Sequence, residues 1–95
     1  MHSNKSQEIK TLYSVLARID NEKDMELFLE DLCTIQELIS ISQRLRVASL
    51  LVDGKSYTEV KEITGVSSTT ISRVNRCLTY GDGGYKLATE IAKGE

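Results

Sequence analysis

Residues that interrupt or cross-link a chain are scarce in this sequence. Its 95 residues include no proline, and its six glycines fall at positions 54, 65, 81, 83, 84 and 94. The long stretches between these glycines favour helices over many short strands. The two cysteines, Cys33 and Cys77, have neither CxxC spacing nor the density of a disulfide scaffold. We therefore predict an all-α fold with free thiols.

Motifs for catalysis and for cofactors are also missing. The single histidine, His2, lies next to the N-terminus, and there is no glycine-rich phosphate-binding loop. A chain terminus is expected to fray, so His2 cannot be held in a His-based triad or a metal cluster, and we predict that the protein is not an enzyme. We predict no cofactor and no metal site.

No apolar run is long enough to cross a membrane. The longest, at residues 47–52, is interrupted by Ser49 and is far shorter than the ~20 residues that a bilayer requires. No signal peptide and no lipidation motif can be recognised. These absences predict a cytoplasmic protein without a membrane segment.

Charge is unevenly distributed along the chain. The formal net charge is -2, whereas nucleic-acid-binding domains are commonly strongly basic. Residues 20–31 carry six acids against the single base Lys23, while residues 54–80 carry four bases against Glu59 and Glu62. The second segment is therefore locally basic within an acidic protein.

Apolar periodicity predicts six helices in one domain, residues 1–95. They are expected at about residues 6–19, 23–32, 34–53, 56–65, 67–80 and 85–92. The second of these is apolar nearly all round, which indicates burial on more than one side, either in the core or against a partner. Two capping boxes support the helix starts, Thr34 with Glu37 and Ser56 with Glu59. Gly54 is expected to end the third helix in the left-handed conformation.

Residues 57–76 have the pattern of a helix-turn-helix. Such a motif needs two helices that cross over a short turn, and Gly65 supplies the positive φ that the turn requires. Apolar positions expected between the two helices are Val60, Ile63, Val66, Ile71 and Val74. The other positions of the second helix hold no acid; among them are Ser68, Thr69, Thr70, Ser72, Arg73 and Arg76. A short, hydrogen-bonding and cationic surface of this kind suits the major groove of DNA.

The stretch at residues 34–78 resembles the Trp repressor family, and the whole chain resembles its YerC/YecD branch. The matching residues are Thr34, Gln43, Arg44, Leu45, Arg46, Leu51, Gly54, Glu59, Val60, Lys61, Gly65, Thr70, Ile71, Ser72 and Arg73. One position departs from the general helix-turn-helix pattern, because Lys61 stands where a small residue is usual. The resemblance matches Lys61 to the family's phosphate-contacting lysine.

The resemblance implies a six-helix Trp repressor-like fold and an intertwined homodimer. Residues 1–53 would form the dimerisation helices, residues 56–79 the helix-turn-helix and residues 84–93 the C-terminal helix. The start of the recognition helix would approach the bases, which here means Ser68, Thr69, Thr70 and Ser72. A two-fold dimer would read a pseudo-palindromic operator on double-stranded DNA, as a transcriptional regulator and repressor.

The resemblance also implies a ligand site, but with two substitutions. The family's two arginines that sandwich tryptophan match Arg44 and Arg73, and Thr34 matches the threonine near the ligand's amino group. Val74 replaces a glycine and adds bulk where the ring would lie, and Cys77 replaces a serine with a poorer hydrogen-bonding group. We therefore predict that tryptophan is not the corepressor, and leave another small corepressor open.

A protein-interaction adaptor built on a helix-turn-helix is the alternative. The acidic overall charge and the acids at residues 20–31 support it. A DNA reader should lose affinity steeply as salt rises, whereas an adaptor should show no sequence-selective DNA binding. Salt dependence therefore separates the two hypotheses.

Overall fold

The computed structural model describes residues 3–94, which form helices joined by short connections. His2, the single histidine considered above for catalysis, lies outside the described residues. The helices are α1 (Ser3–Arg18), α2 (Glu22–Leu32), α3 (Ile35–Val52), α4 (Tyr57–Thr64), α5 (Ser68–Tyr80) and α6 (Gly84–Lys93). Within residues 3–94 there is no strand, so the predicted all-α fold of six helices is confirmed.

Side-chain caps fix where the central helices begin. The Thr34 hydroxyl accepts from the Glu37 N–H at 3.1 Å, and the Glu37 carboxylate accepts from the Thr34 N–H at 2.8 Å. Ser56 and Glu59 form the same reciprocal pair at the start of α4. Each pair satisfies two of the backbone donors that a helix start leaves without partners. Both predicted capping boxes are confirmed.

Gly54 ends α3 as predicted. Its φ of 92° places it in the left-handed region that favours glycine. The Gly54 N–H donates to the Leu51 carbonyl and the Lys55 N–H donates to the Leu50 carbonyl, each at 3.0 Å. This pair of bonds is the Schellman motif, which satisfies the last carbonyls of the helix.

The internal contacts of the chain fall into two compact units, Met1–Leu38 and Ile39–Glu95. The second unit contains a small apolar core in which side chains from α3, α4, the turn and α5 meet. Its buried members are Val47, Ala48, Val60, Val66, Ile71 and Val74. Ile63, which the periodicity assigned to the same interface, is 47% exposed, so this prediction is wrong. The helix α4 has only two turns, and its contact with the core is centred on Val60 and does not extend over Ile63.

The first unit has no such core. None of the side chains described in residues 6–38 is buried, although α1 and α2 carry many apolar residues. Ile9 is 49% exposed, Tyr13 is 65% exposed and Leu27 is 56% exposed. Apolar helix surfaces of this kind gain little stability unless something covers them.

One ion pair joins the end of α3 to the end of α6. The Lys93 ammonium lies 3.3 Å from the Asp53 carboxylate, and both side chains are largely exposed to solvent. Exposed pairs of this kind contribute little to stability. No helix in residues 3–94 is both long enough and apolar enough to span a bilayer.

Gly65→Ala should destabilise the protein through the backbone alone. Gly65 has a φ of 74°, and a Cβ built there meets no atom within 4 Å. A left-handed alanine is strained by about 1–2 kcal/mol, so the free energy of unfolding should fall by roughly that amount in urea denaturation. Gly84→Ala is the matched control, because Gly84 lacks a positive φ and its Cβ would also meet no atom. Equal losses in the two variants would contradict this account.

Candidate nucleic-acid interface

A three-residue turn sets the crossing of α4 and α5. Gly65, in the left-handed conformation, donates its N–H to the Lys61 carbonyl at 2.8 Å and so ends α4. The Thr64 hydroxyl donates to the Val60 carbonyl at 2.7 Å and accepts from the Val66 N–H at 3.2 Å. Ser67 then caps α5 by accepting from the Thr70 N–H at 3.2 Å. Every residue of the turn has a defined local role.

The outer surface of α5 is polar and free of acids. Ile71 and Val74 point into the core, and the opposite side of the helix lines an open concavity of about 430 Å³. Its lining residues are Ser68, Thr69, Ser72, Arg73 and Arg76. We call this surface the α5 surface. It combines hydroxyl groups, which can donate and accept, with two guanidinium groups, and so offers hydrogen bonds and positive charge side by side.

A second concavity lies where α4 meets the start of α5. It has a volume of about 500 Å³ and is lined by Tyr57, Thr58, Lys61, Glu62 and Ser68. We call it the α4 concavity. Lys61 is exposed here, so its long side chain lies on the surface rather than between the helices. This placement accounts for a lysine at a position where a small residue is usual.

Thr70 is placed differently from the other predicted DNA-contacting residues. It is partly buried and lies in a smaller cleft of about 200 Å³, between α3 and the start of α5. Its hydroxyl accepts from the Ser67 hydroxyl at 3.1 Å, within the cap of α5. Thr70 therefore shares no concavity with Ser68, Thr69 and Ser72, and the cap engages its side chain.

The residues predicted to bind a ligand do not all meet. Arg44 and Arg73 line the same cleft as Thr70, and the Arg44 guanidinium donates to the Ser40 hydroxyl at 3.0 Å. Val74 is buried in the core, and Cys77 is exposed in a separate concavity beside Tyr85.

Thr34 belongs to the first unit, where its hydroxyl accepts from the backbone of Glu37 in the cap of α3. Of the five residues, the second unit thus brings only the two arginines together.

Glu59 has a lowered pKa for a local reason. Its carboxylate accepts from the Ser56 backbone N–H at 2.9 Å, and the Ser56 hydroxyl and the charge of Lys55 lower the pKa further. The Glu59 charge is therefore committed to the start of α4. The Glu62 side chain takes no part in a cap, and within residues 3–94 it has no hydrogen-bond or ion-pair partner. The two acids of the helix-turn-helix thus differ in their environment.

Sequence reasoning missed several residues that surround these cavities. Tyr57, Thr58 and Glu62 line the α4 concavity, while Ser40 lines the cleft beside Gln43, to which the family resemblance gave no role. Nothing in the local sequence marks them, because their meeting depends on how α4 crosses α5 and how α3 passes the turn. The one available signal was position, since Tyr57 and Thr58 open the first helix of the motif.

This geometry defines a helix-turn-helix module: two helices of 8 and 13 residues joined by a tight glycine turn, with a polar outer surface on the second. The family model described as Trp repressor protein matches residues 7–92. The chain therefore belongs to the Trp repressor family.

Individual relatives agree with this assignment. The chain is 38% identical over 89 residues to the uncharacterized protein YerC of Bacillus subtilis (strain 168), covering 94% of this chain and 86% of the relative. A crystal structure of a TrpR-like protein from Eubacterium eligens ATCC 27750 matches with a TM-score of 0.85 and 39% identity, covering 92% of this chain and 90% of that one. A proposed Trp repressor from Staphylococcus aureus matches with a TM-score of 0.86 and 32% identity, covering 100% and 97%. The predicted membership of the YerC branch is confirmed.

Proposed function

We propose that this protein is a sequence-specific DNA-binding regulator, acting as a repressor, that inserts α5 into the major groove of a pseudo-palindromic operator. The acid-free α5 surface is the observation that carries the proposal. It presents three hydroxyl side chains and two arginines on one side of a helix whose other side is anchored in the core. A rigid helix with such a surface matches both the shape and the charge of the groove.

The residues of this surface divide into two roles. Ser68, Thr69 and Ser72 lie at the start of α5, the part of a recognition helix that reaches base edges. Arg73 and Arg76 supply positive charge for phosphates, which position the protein without reading sequence, and Lys61 in the neighbouring α4 concavity adds a third positive charge. Hydroxyl contacts carry modest specificity, so bridging water and DNA shape should also contribute.

The protein acts in this proposal as a homodimer formed through the helices of residues 1–53. Support comes from the first unit, where apolar side chains on α1 and α2 have no buried counterpart in residues 6–38. A second copy of the chain would cover these surfaces, and its two-fold symmetry would present two α5 helices to two half-sites about one DNA turn apart.

Tryptophan is not the corepressor in this proposal. Val74 occupies the core and Cys77 lines a different concavity, so neither joins Arg44 and Arg73 in the cleft. What remains there is two guanidinium groups among uncharged polar side chains, with Val66 as the apolar member. Such a cleft offers little apolar surface to an indole ring, whereas the arginines suit phosphate groups.

Selection from a random DNA pool, with and without tryptophan, tests this proposal. At near-physiological salt we expect one enriched pseudo-palindrome in both arms. The double variant Thr69→Ala, Ser72→Ala should lose the enrichment, because hydrogen bonds to base edges disappear. Thr79→Ala is the control, since Thr79 is an exposed threonine of α5 outside the α5 surface. Enrichment only with tryptophan would contradict the proposal that tryptophan is not the corepressor. No enrichment in either arm would favour the alternative function as a protein-interaction adaptor.

Lys61→Gln should weaken DNA binding without changing which sequence is bound. Loss of one phosphate contact in each protomer should reduce the slope of log affinity against log salt by about 0.9 per protomer. Fluorescence anisotropy at several salt concentrations measures this slope. Lys86→Gln, on the exposed surface of α6, removes the same charge away from the motif and should leave the slope unchanged. Equal slopes for the wild type and Lys61→Gln would refute the phosphate role.

Ile9→Glu should convert the dimer to a monomer. Ile9 lies on the apolar side of α1, and a charge there would be buried against the partner without compensation. Sedimentation equilibrium should give twice the chain mass for the wild type and a single chain mass for the variant. Thr11→Glu places the same charge on the opposite, polar side of α1 and should remain dimeric. A monomeric wild type at micromolar concentration would contradict the proposed dimer.

A further inference from the structure

Glu62 places a negative charge in the α4 concavity, beside the α5 surface that is proposed to face DNA. It lines the α4 concavity together with Ser68, the first residue of the recognition helix. Between residues 56 and 81 the sequence has two acids, Glu59 and Glu62. The cap of α4 engages Glu59, so Glu62 is the acid in this segment whose charge is left facing the concavity.

A carboxylate at this place has few acceptable neighbours on DNA. Phosphate groups repel it, and the acceptors that guanine and thymine present in the major groove repel it as well. The donors in the groove are the exocyclic amino groups of cytosine and adenine. Adenine presents its amino group next to the N7 acceptor, which disfavours a carboxylate, whereas cytosine presents its N4 amino group without an adjacent acceptor on the same base.

The geometry of α4 separates Glu62 from the neighbouring lysine. Successive residues of a helix are turned by about 100°, so Lys61 and Glu62 project in different directions. Tyr57 lies one turn before Lys61 and Thr58 one turn before Glu62, and all four line the concavity. With α5 in the major groove, the two side chains would therefore meet different parts of the DNA, and Lys61 at a phosphate would leave Glu62 free for another group.

We propose that Glu62 is a specificity-determining residue that accepts a hydrogen bond from the N4 amino group of a cytosine, at one position in each half-site. This inference rests on the proposed function, because it requires α5 in the major groove. It goes further by naming a base and by assigning its recognition to α4 rather than to the recognition helix. It also gives Glu62 a favourable contact that offsets the repulsion between its carboxylate and the phosphates.

The test compares the selected sequences of the wild type, Glu62→Gln and Glu62→Ala. The wild type should select cytosine at a symmetric pair of positions, with about tenfold preference at each. Glu62→Gln should shift that preference to adenine, because a glutamine amide can pair with the adenine N6 and N7 atoms together. Glu62→Ala should abolish the preference at this pair and leave the other positions unchanged.

Glu90→Gln, an exposed acid of α6, is the matched control for the change of charge. Both Glu62 variants replace an exposed side chain, and their thermal melts should match that of the wild type. If the variants bind all sequences more tightly with an unchanged selected sequence, Glu62 only repels phosphates and the inference is overturned. If the wild type itself selects no sequence, the proposed function fails, and the inference fails with it.

Discussion

The left-handed turn at Gly65 is the constraint on which the proposed DNA-facing surface depends. It ends α4, and the Thr64 hydroxyl holds the next residues in place before Ser67 opens α5. The start of α5 is therefore fixed relative to the end of α4. Once Ile71 and Val74 take their places in the core, the side of the helix that remains outside is decided. The α5 surface and the α4 concavity both depend on this one turn.

Local features of the fold could be read from the sequence, and features set by tertiary contacts could not. Capping boxes and glycine stops involve residues a few positions apart, so their chemistry is visible in the chain itself. Ile63 was assigned to the core because periodicity identifies a helix face but not how much of it a short helix buries. Tyr57 and Glu62 line the α4 concavity because α4 crosses α5 there, and no local sequence pattern encodes this crossing.

The residues matched through the family's ligand site show the same limit. Arg73 and Val74 are neighbours in sequence, but the helix turns one toward the cleft and the other into the core. Cys77, one turn later, reaches the loop before α6 instead. Residues that match the family's ligand site one by one therefore need not line a single cavity in this structure. The cleft that remains is defined by Arg44 and Arg73 across the start of α5.

The two helices of the motif differ in the charge at their N-terminal ends. Each helix start carries about half a unit of positive charge from its aligned peptide dipoles, and an acid in the first turn compensates it. α4 has such an acid in Glu59, whereas α5 has none and is capped by the neutral Ser67. The positive end of α5 is therefore left uncompensated at the surface. In a chain with a net charge of -2, the backbone itself becomes a source of attraction for anions that no count of lysines and arginines includes.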